Sequence, residues 1–253
     1  MEYKYTPERE NYALYAAGGV FYAAPGHSAF PVRLAVETFR RCLHWRSKAG
    51  ASGPVTVYDP CCGGAYHLAT LPWFDWPSIA RIYASDLDAD AVGVAARNLS
   101  LLTLEGMERR IAELTHLHQE YGKDSHALAL QHALTLQERL SVLVQGHAIP
   151  THLFCADATE GQAVAAGLAG AKADVVLTDI PYGQVSRWHS GTAALAQGAE
   201  PVGGLLESLL PVLAERAVVA VAAGKGDKIR HAAYRRLERF TVGKRQVTLL
   251  QAF

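Results

Sequence analysis

Short runs of β-branched and aromatic residues recur along the chain, and helical patterns fill most of the gaps between them. The runs are Val55 to Tyr58, Ile82 to Ser85, His152 to Cys155, Val175 to Thr178, Ala217 to Ala222, Phe240 to Val242 and Val247 to Leu250. Strands joined by helical crossovers run parallel, and a parallel sheet needs helices on both faces. The last two runs are separated only by Gly243-Lys244-Arg245-Gln246, too short for a crossover, so they are expected to form an antiparallel hairpin. At 253 residues, half of them apolar, the chain can bury one substantial core, which favours a single α/β unit with appendages.

Two segments lie outside that plan. Residues 1–50 precede the first strand, carry a helical pattern from Val32 to Trp45, and are expected to form an N-terminal helical cap on a main domain spanning 51–253. Residues 101–148 hold two further helical patterns, Leu104 to Glu120 and His126 to Val144, joined by the turn-forming Gly122-Lys123-Asp124-Ser125. This reads as a helical hairpin inserted between the second and third strands. The four cysteines are too few for a disulfide framework and lack C-x-x-C spacing, so a reducing, cytoplasmic setting without a metal site is expected. No stretch approaches the roughly 18 apolar residues of a membrane span.

The chemistry gathers at the ends of the strands. The first strand runs into Asp59-Pro60-Cys61-Cys62-Gly63-Gly64, where a glycine pair lets a ligand approach the backbone. The second ends in Asp86 and Leu87, and an acidic side chain some 20 residues beyond a glycine turn suits the two hydroxyls of a ribose. The third ends in Cys155-Ala156-Asp157-Ala158, where Asp157 is placed to accept from an adenine amino group. Each has a plainer alternative: a simple chain reversal at the glycines, and helix caps at Asp86 and Asp157. The turn lacks the G-x-G-x-x-G that receives a pyrophosphate, which disfavours nicotinamide and flavin cofactors and favours S-adenosyl-L-methionine, a nucleoside without phosphates.

The fourth strand ends in Thr178-Asp179-Ile180-Pro181-Tyr182-Gly183. Proline holds Ile180 in extended geometry, so the Asp179 carboxylate and the Ile180 carbonyl are expected to accept the two N–H bonds of an exocyclic base amine while Tyr182 stacks on the ring. Methyl transfer would then depend mainly on positioning. The alternative is an ordinary strand-to-turn transition with Tyr182 in the core.

Taken together, Asp59-Pro60-Cys61-Cys62-Gly63-Gly64 resembles the first motif of N-methyltransferases, and Asp179-Ile180-Pro181-Tyr182 resembles their N/D-P-P-Y motif, with isoleucine where a proline is usual. The resemblance implies a class I methyltransferase (Rossmann-like) fold: a mostly parallel seven-stranded sheet with a C-terminal antiparallel hairpin. The whole chain, with its insertion, is similar to the avilamycin-resistance (orthosomycin) family of rRNA methyltransferases. That likeness implies a guanine base of large-subunit (23S) ribosomal RNA as substrate, free or in the ribosomal subunit, and resistance to a ribosome-targeting antibiotic as consequence. The residues alone also suit a DNA adenine or protein glutamine N-methyltransferase, or a non-catalytic RNA-binding module.

Overall charge gives no hint of RNA, with 24 Lys and Arg against 24 Asp and Glu. Local charge does. Between 224 and 253 eight basic residues, including Lys225, Arg235 and Arg236, face two acidic ones, and a second cluster on the first helix includes Arg40 and Arg41. Such patches can neutralise phosphates or simply solvate a helix face. Arg187 and Trp188, in the loop after Gly183, could stack on a base. A monomer is expected.

Overall fold

The computed structural model of the chain describes residues 3–23, 30–180 and 201–253. Seven strands, β1 (Val55–Asp59), β2 (Ile79–Asp86), β3 (Thr151–Cys155), β4 (Ala173–Asp179), β5 (Leu213–Gly224), β6 (Tyr234–Val242) and β7 (Arg245–Ala252), form one sheet in the order β3-β2-β1-β4-β5-β7-β6. β1 to β5 pair in parallel, and β7 inserts antiparallel between β5 and β6. The expected mostly parallel sheet closed by a hairpin is therefore what forms.

The α-helices among the described residues are α1 (Val32–Lys48), α2 (Tyr66–Thr70), α3 (Pro72–Asp75), α4 (Ala89–Ser100), α5 (Leu104–Tyr121), α6 (Asp124–Gly146), α7 (Gly161–Leu168) and α8 (Pro201–Leu209). Alternate residues of a strand point to opposite faces, and the sheet uses both. Val175 and Leu177 of β4 join a core with α1, α4, α5 and α6, while Val176 joins one with α7 and α8.

Local chemistry sets the ends of these elements. The Thr103 hydroxyl accepts from the Gly106 amide to open α5, and Gly122 closes that helix at φ +59°. The insertion is the expected pair of helices, with only Gly122 and Lys123 between them.

β6 is longer than the Phe240 to Val242 run the sequence suggests, and begins at Tyr234. On this edge strand exposure does not alternate, because the consecutive Arg235 and Arg236 are both exposed, so its first half shows no apolar period. The connection to β7 is shorter than expected: Arg245 already opens that strand, leaving the two-residue turn Gly243-Lys244 with Gly243 at φ +58°.

The sheet order makes β1 and β4 neighbours whose crossovers leave in opposite directions. Ligands of open α/β sheets bind at such a switch point, beyond the carboxyl ends of the strands. β1, β2 and β4 end there in Asp59, Asp86 and Asp179.

Candidate active site

The glycine turn is held from two sides. Gly63 sits at φ +50°, and its amide donates to the Asp86 carboxylate at 2.7 Å, so the end of β2 fixes the loop that leaves β1. On the other side the Asn98 amide of α4 donates to the Gly64 carbonyl at 2.8 Å, and also clasps the Tyr22 backbone. Asp59 is fully buried and accepts the Cys61 amide at 3.0 Å, which gives it the task of shaping the loop from beneath. Burial, reinforced by Asp59, Asp86 and Asp157, pushes the Cys61 thiol well up, so it stays protonated and unreactive. Ala65 adopts φ +51°, a conformation that disfavours a side chain and keeps the loop tight before α2.

The other expected cofactor residues flank this loop. Leu87 is 42 % exposed at the tip of β2. Asp157 follows β3 and accepts from both the amide and the hydroxyl of Thr159, while Ala156 and Ala158 are buried on either side. Pro60 and Cys62 complete the turn, with the Cys62 amide donating to the Ser85 carbonyl of β2 at 2.9 Å.

Asp179 lies at the end of β4 with a side chain 14 % exposed. One carboxylate oxygen, Oδ2, is 3.4 Å from Nε of Arg245 on β7. The other, Oδ1, is buried and has no hydrogen-bond partner among the described residues. Burial drives the Asp179 carboxyl up to about 6, the nearby Asp59 adds to that rise, and Arg245 and His67 oppose it. His67 of α2 lies 3.1 Å from Asp59 Oδ2 and 3.4 Å from the Leu177 carbonyl, tying β1 to β4 beneath the site. Ile180 is buried, and its amide donates to Ala222 of β5 at 3.0 Å. Pro181, Tyr182, Arg187 and Trp188 lie outside the described residues.

The basic clusters divide. Arg40 pairs with Asp75 at 3.0 Å and donates to the Tyr5 carbonyl. Arg41 is buried between Glu37 and Glu238, and Arg46 pairs with Asp174. Arg40 and Arg41, expected at an RNA surface, are thus both engaged in ion pairs within the fold, Arg41 buried and the Arg40 side chain still 33 % exposed. Lys225 and Lys244 are exposed and adjacent, joined by an amide-to-carbonyl bond of 3.0 Å where β5 meets β7 at the site's edge. Arg235 and Arg236 sit toward the opposite end of the sheet, since they pair with Gln251 and Leu250.

The model of one family, described as rRNA methyltransferase AviRa, matches residues 1–245. The chain belongs to the AviRa family. A curated member from Streptomyces viridochromogenes, a 23S rRNA (guanine(2535)-N(1))-methyltransferase, is 40 % identical over 250 residues, covering 99 % of this chain and 96 % of the relative. A solved AviRa structure from the same organism matches with TM-score 0.85 and 38 % identity, covering 99 % of this chain and 96 % of that one. TrmN from Thermus thermophilus matches at TM-score 0.50 and 16 % identity over 90 % of this chain and 50 % of its own, which shows a shared fold.

Sequence reading missed three site residues of this AviRa-family chain. Arg245 lay within a basic run, Asn98 within a helix, and His67 beyond the glycine turn, and none carries a local signature of its partner.

Proposed function

We propose that this protein is an S-adenosylmethionine-dependent methyltransferase acting on N1 of a guanine in 23S ribosomal RNA, with orthosomycin resistance as its cellular consequence in the cytoplasm. The observation that carries the chemistry is the buried Asp179 Oδ1 at the switch point of the sheet, which has no partner among the described residues. A buried acceptor without a donor is costly, and it is explained if substrate supplies the donor.

The cofactor residues suit the nucleoside. Gly63 opens the backbone at φ +50°, Asp86 and Asp157 offer oxygens for hydroxyl and amino groups, and Leu87 offers apolar surface beside them. The donor set holds acceptors where a dinucleotide would need anion-binding amides. Bound there, the cofactor supplies a methyl group on a cationic sulfur.

The curated relative's N1 specificity shifts the acceptor atom from the exocyclic amine suggested by the sequence to a ring nitrogen. Neutral guanine N1 carries one hydrogen, and its in-plane pair becomes available when that proton leaves. Asp179 is suited to take it. A carboxylate raised to about 6 is a stronger base than an ordinary one, yet remains ionised at neutral pH. The Ile180 carbonyl is then left to receive the neighbouring exocyclic amine, which fixes the base in the plane of attack.

Incubation with tritiated cofactor and a large-subunit rRNA transcript should label the RNA, and mass spectrometry of its nucleosides should return 1-methylguanosine. Label in N2-methylguanosine would reinstate the exocyclic amine. No transfer to RNA or ribosomal subunits would end the proposal. Asp179→Asn should cut kcat by about 10²- to 10⁴-fold, the usual contribution of a positioned base, with RNA affinity kept.

A further inference from the structure

A groove forms where the N-terminal segment meets the first turns of α1 and α2. This open groove of about 440 Å³ is lined by Tyr3, Arg9, Tyr12, Val32, Arg33 and Tyr66, a volume within the roughly 300–1,000 Å³ of small-ligand sites. We infer that this groove receives a single-stranded nucleotide flanking the target guanine, its base on the tyrosines and its phosphate at Arg9. The inference rests on the RNA substrate proposed above and adds where that RNA is held.

The groove is built rather than incidental. Glu37 of α1 is fully buried, and its carboxylate accepts the amides of Lys4, Tyr5 and Thr6 at 2.8–2.9 Å, which pins the segment carrying Tyr3 along the helix. The Arg33 guanidinium lies 3.8 Å from the Tyr3 ring centroid, with its N–H groups already engaged by the Thr6 and Pro7 carbonyls. Arg33 therefore acts as part of a flat stacking wall. The Tyr66 hydroxyl donates to the Tyr15 carbonyl, which fixes that ring as well.

Position favours RNA. Tyr66 is next in sequence to His67, which faces Asp59, and Phe30, two residues before Val32, lies 5.6 Å from both the His67 ring and the Arg245 guanidinium. Two lining residues of the groove, Tyr66 and Val32, are thus within two positions in sequence of members of the network around Asp179. Aromatic faces with guanidinium planes are the standard means of holding unstacked bases. Arg9 is exposed and can meet a phosphate, with the exposed Glu8 and Glu10 on either side of it in sequence.

The test is RNA binding without methyl donor, using a large-subunit rRNA transcript that spans the position equivalent to guanine 2535. Tyr12→Ala should weaken the Kd by about 5- to 150-fold, the effect of losing one stacked base. Arg9→Gln, at an exposed site that spares the fold, should reduce the slope of log K against log salt by about 0.7, the share of one single-strand phosphate. In turnover both losses should fall on KM for RNA rather than on kcat. Wild-type affinity and slope in both variants would overturn the inference, as would a loss seen only with assembled subunits, which would assign the groove to a ribosomal protein. Failure of the wild type to transfer a methyl group, with binding intact, would instead sink the methyltransferase reading.

Discussion

Asp179 carries two opposed influences, and the balance predicts a pH profile. Burial raises its carboxyl to about 6, while Arg245 and His67 pull down. Since the proposed base must be ionised, turnover should fall as pH drops through about 6. Arg245→Gln removes one of the opposing charges, so the acidic limb should move to higher pH, and Arg245→Lys should restore much of it. A profile that does not move in the glutamine variant would show that Arg245 has no influence on the base. Asp179 was legible because a carboxylate ending an apolar strand stands out in sequence. Arg245 was not, because only the β5–β7 pairing carries it to the end of β4. The same holds for Asn98, whose amide reaches Gly64 across 34 positions of sequence.

Elements show how local chemistry is enlisted by packing. The N-terminal segment has no regular structure over residues 3–12, and Glu37 substitutes for a strand partner by gathering its amides. Burial acts to raise the Glu37 carboxyl, but the Tyr5 and Lys4 amides, Arg41 and Thr6 together hold it below its ordinary 4.5. A depressed carboxylate stabilises the fold above that value and loses its contribution as pH falls through the lower folded value. Protease cleavage within residues 3–12 should therefore accelerate below about pH 4.5, and Glu37→Ala should cost about 3 kcal/mol in urea unfolding by leaving buried donors unmatched. Equal protection of that segment at pH 4 and 7 would argue against the staple. The turn between α4 and α5 is as tightly specified. A Cβ on Gly106 would fall 2.0 Å from the Ser100 carbonyl oxygen, so Gly106→Ala should destabilise by about 1–3 kcal/mol, and an unchanged midpoint would refute that contact. Strand positions were readable from β-branched runs where both faces are buried. The first half of β6 was not, because an exposed edge strand has no apolar period to read.

At the scale of the whole molecule, a chain with equal numbers of acidic and basic residues must bind a polyanion through the distribution of its charge. The sheet order decides that distribution. Because β6 runs parallel to β5 and begins at the far end of the sheet, the basic C-terminal run is split, leaving Lys225 and Lys244 at the reacting edge while Arg235 and Arg236 lie several residues of strand away. Sequence could count these charges but could not divide them, since the division follows from β7 inserting between β5 and β6. Each phosphate neutralised by a lysine releases condensed counterions, so its removal shows as a shallower salt dependence and not merely as weaker binding. Lys225→Gln combined with Lys244→Gln should flatten the salt slope for rRNA binding by about 1.4, two single-strand phosphates at about 0.7 each. Arg235→Gln with Arg236→Gln should leave the slope unchanged, although both pairs remove the same net charge. If the second pair matched the first, RNA would be held by overall field rather than by the reacting edge.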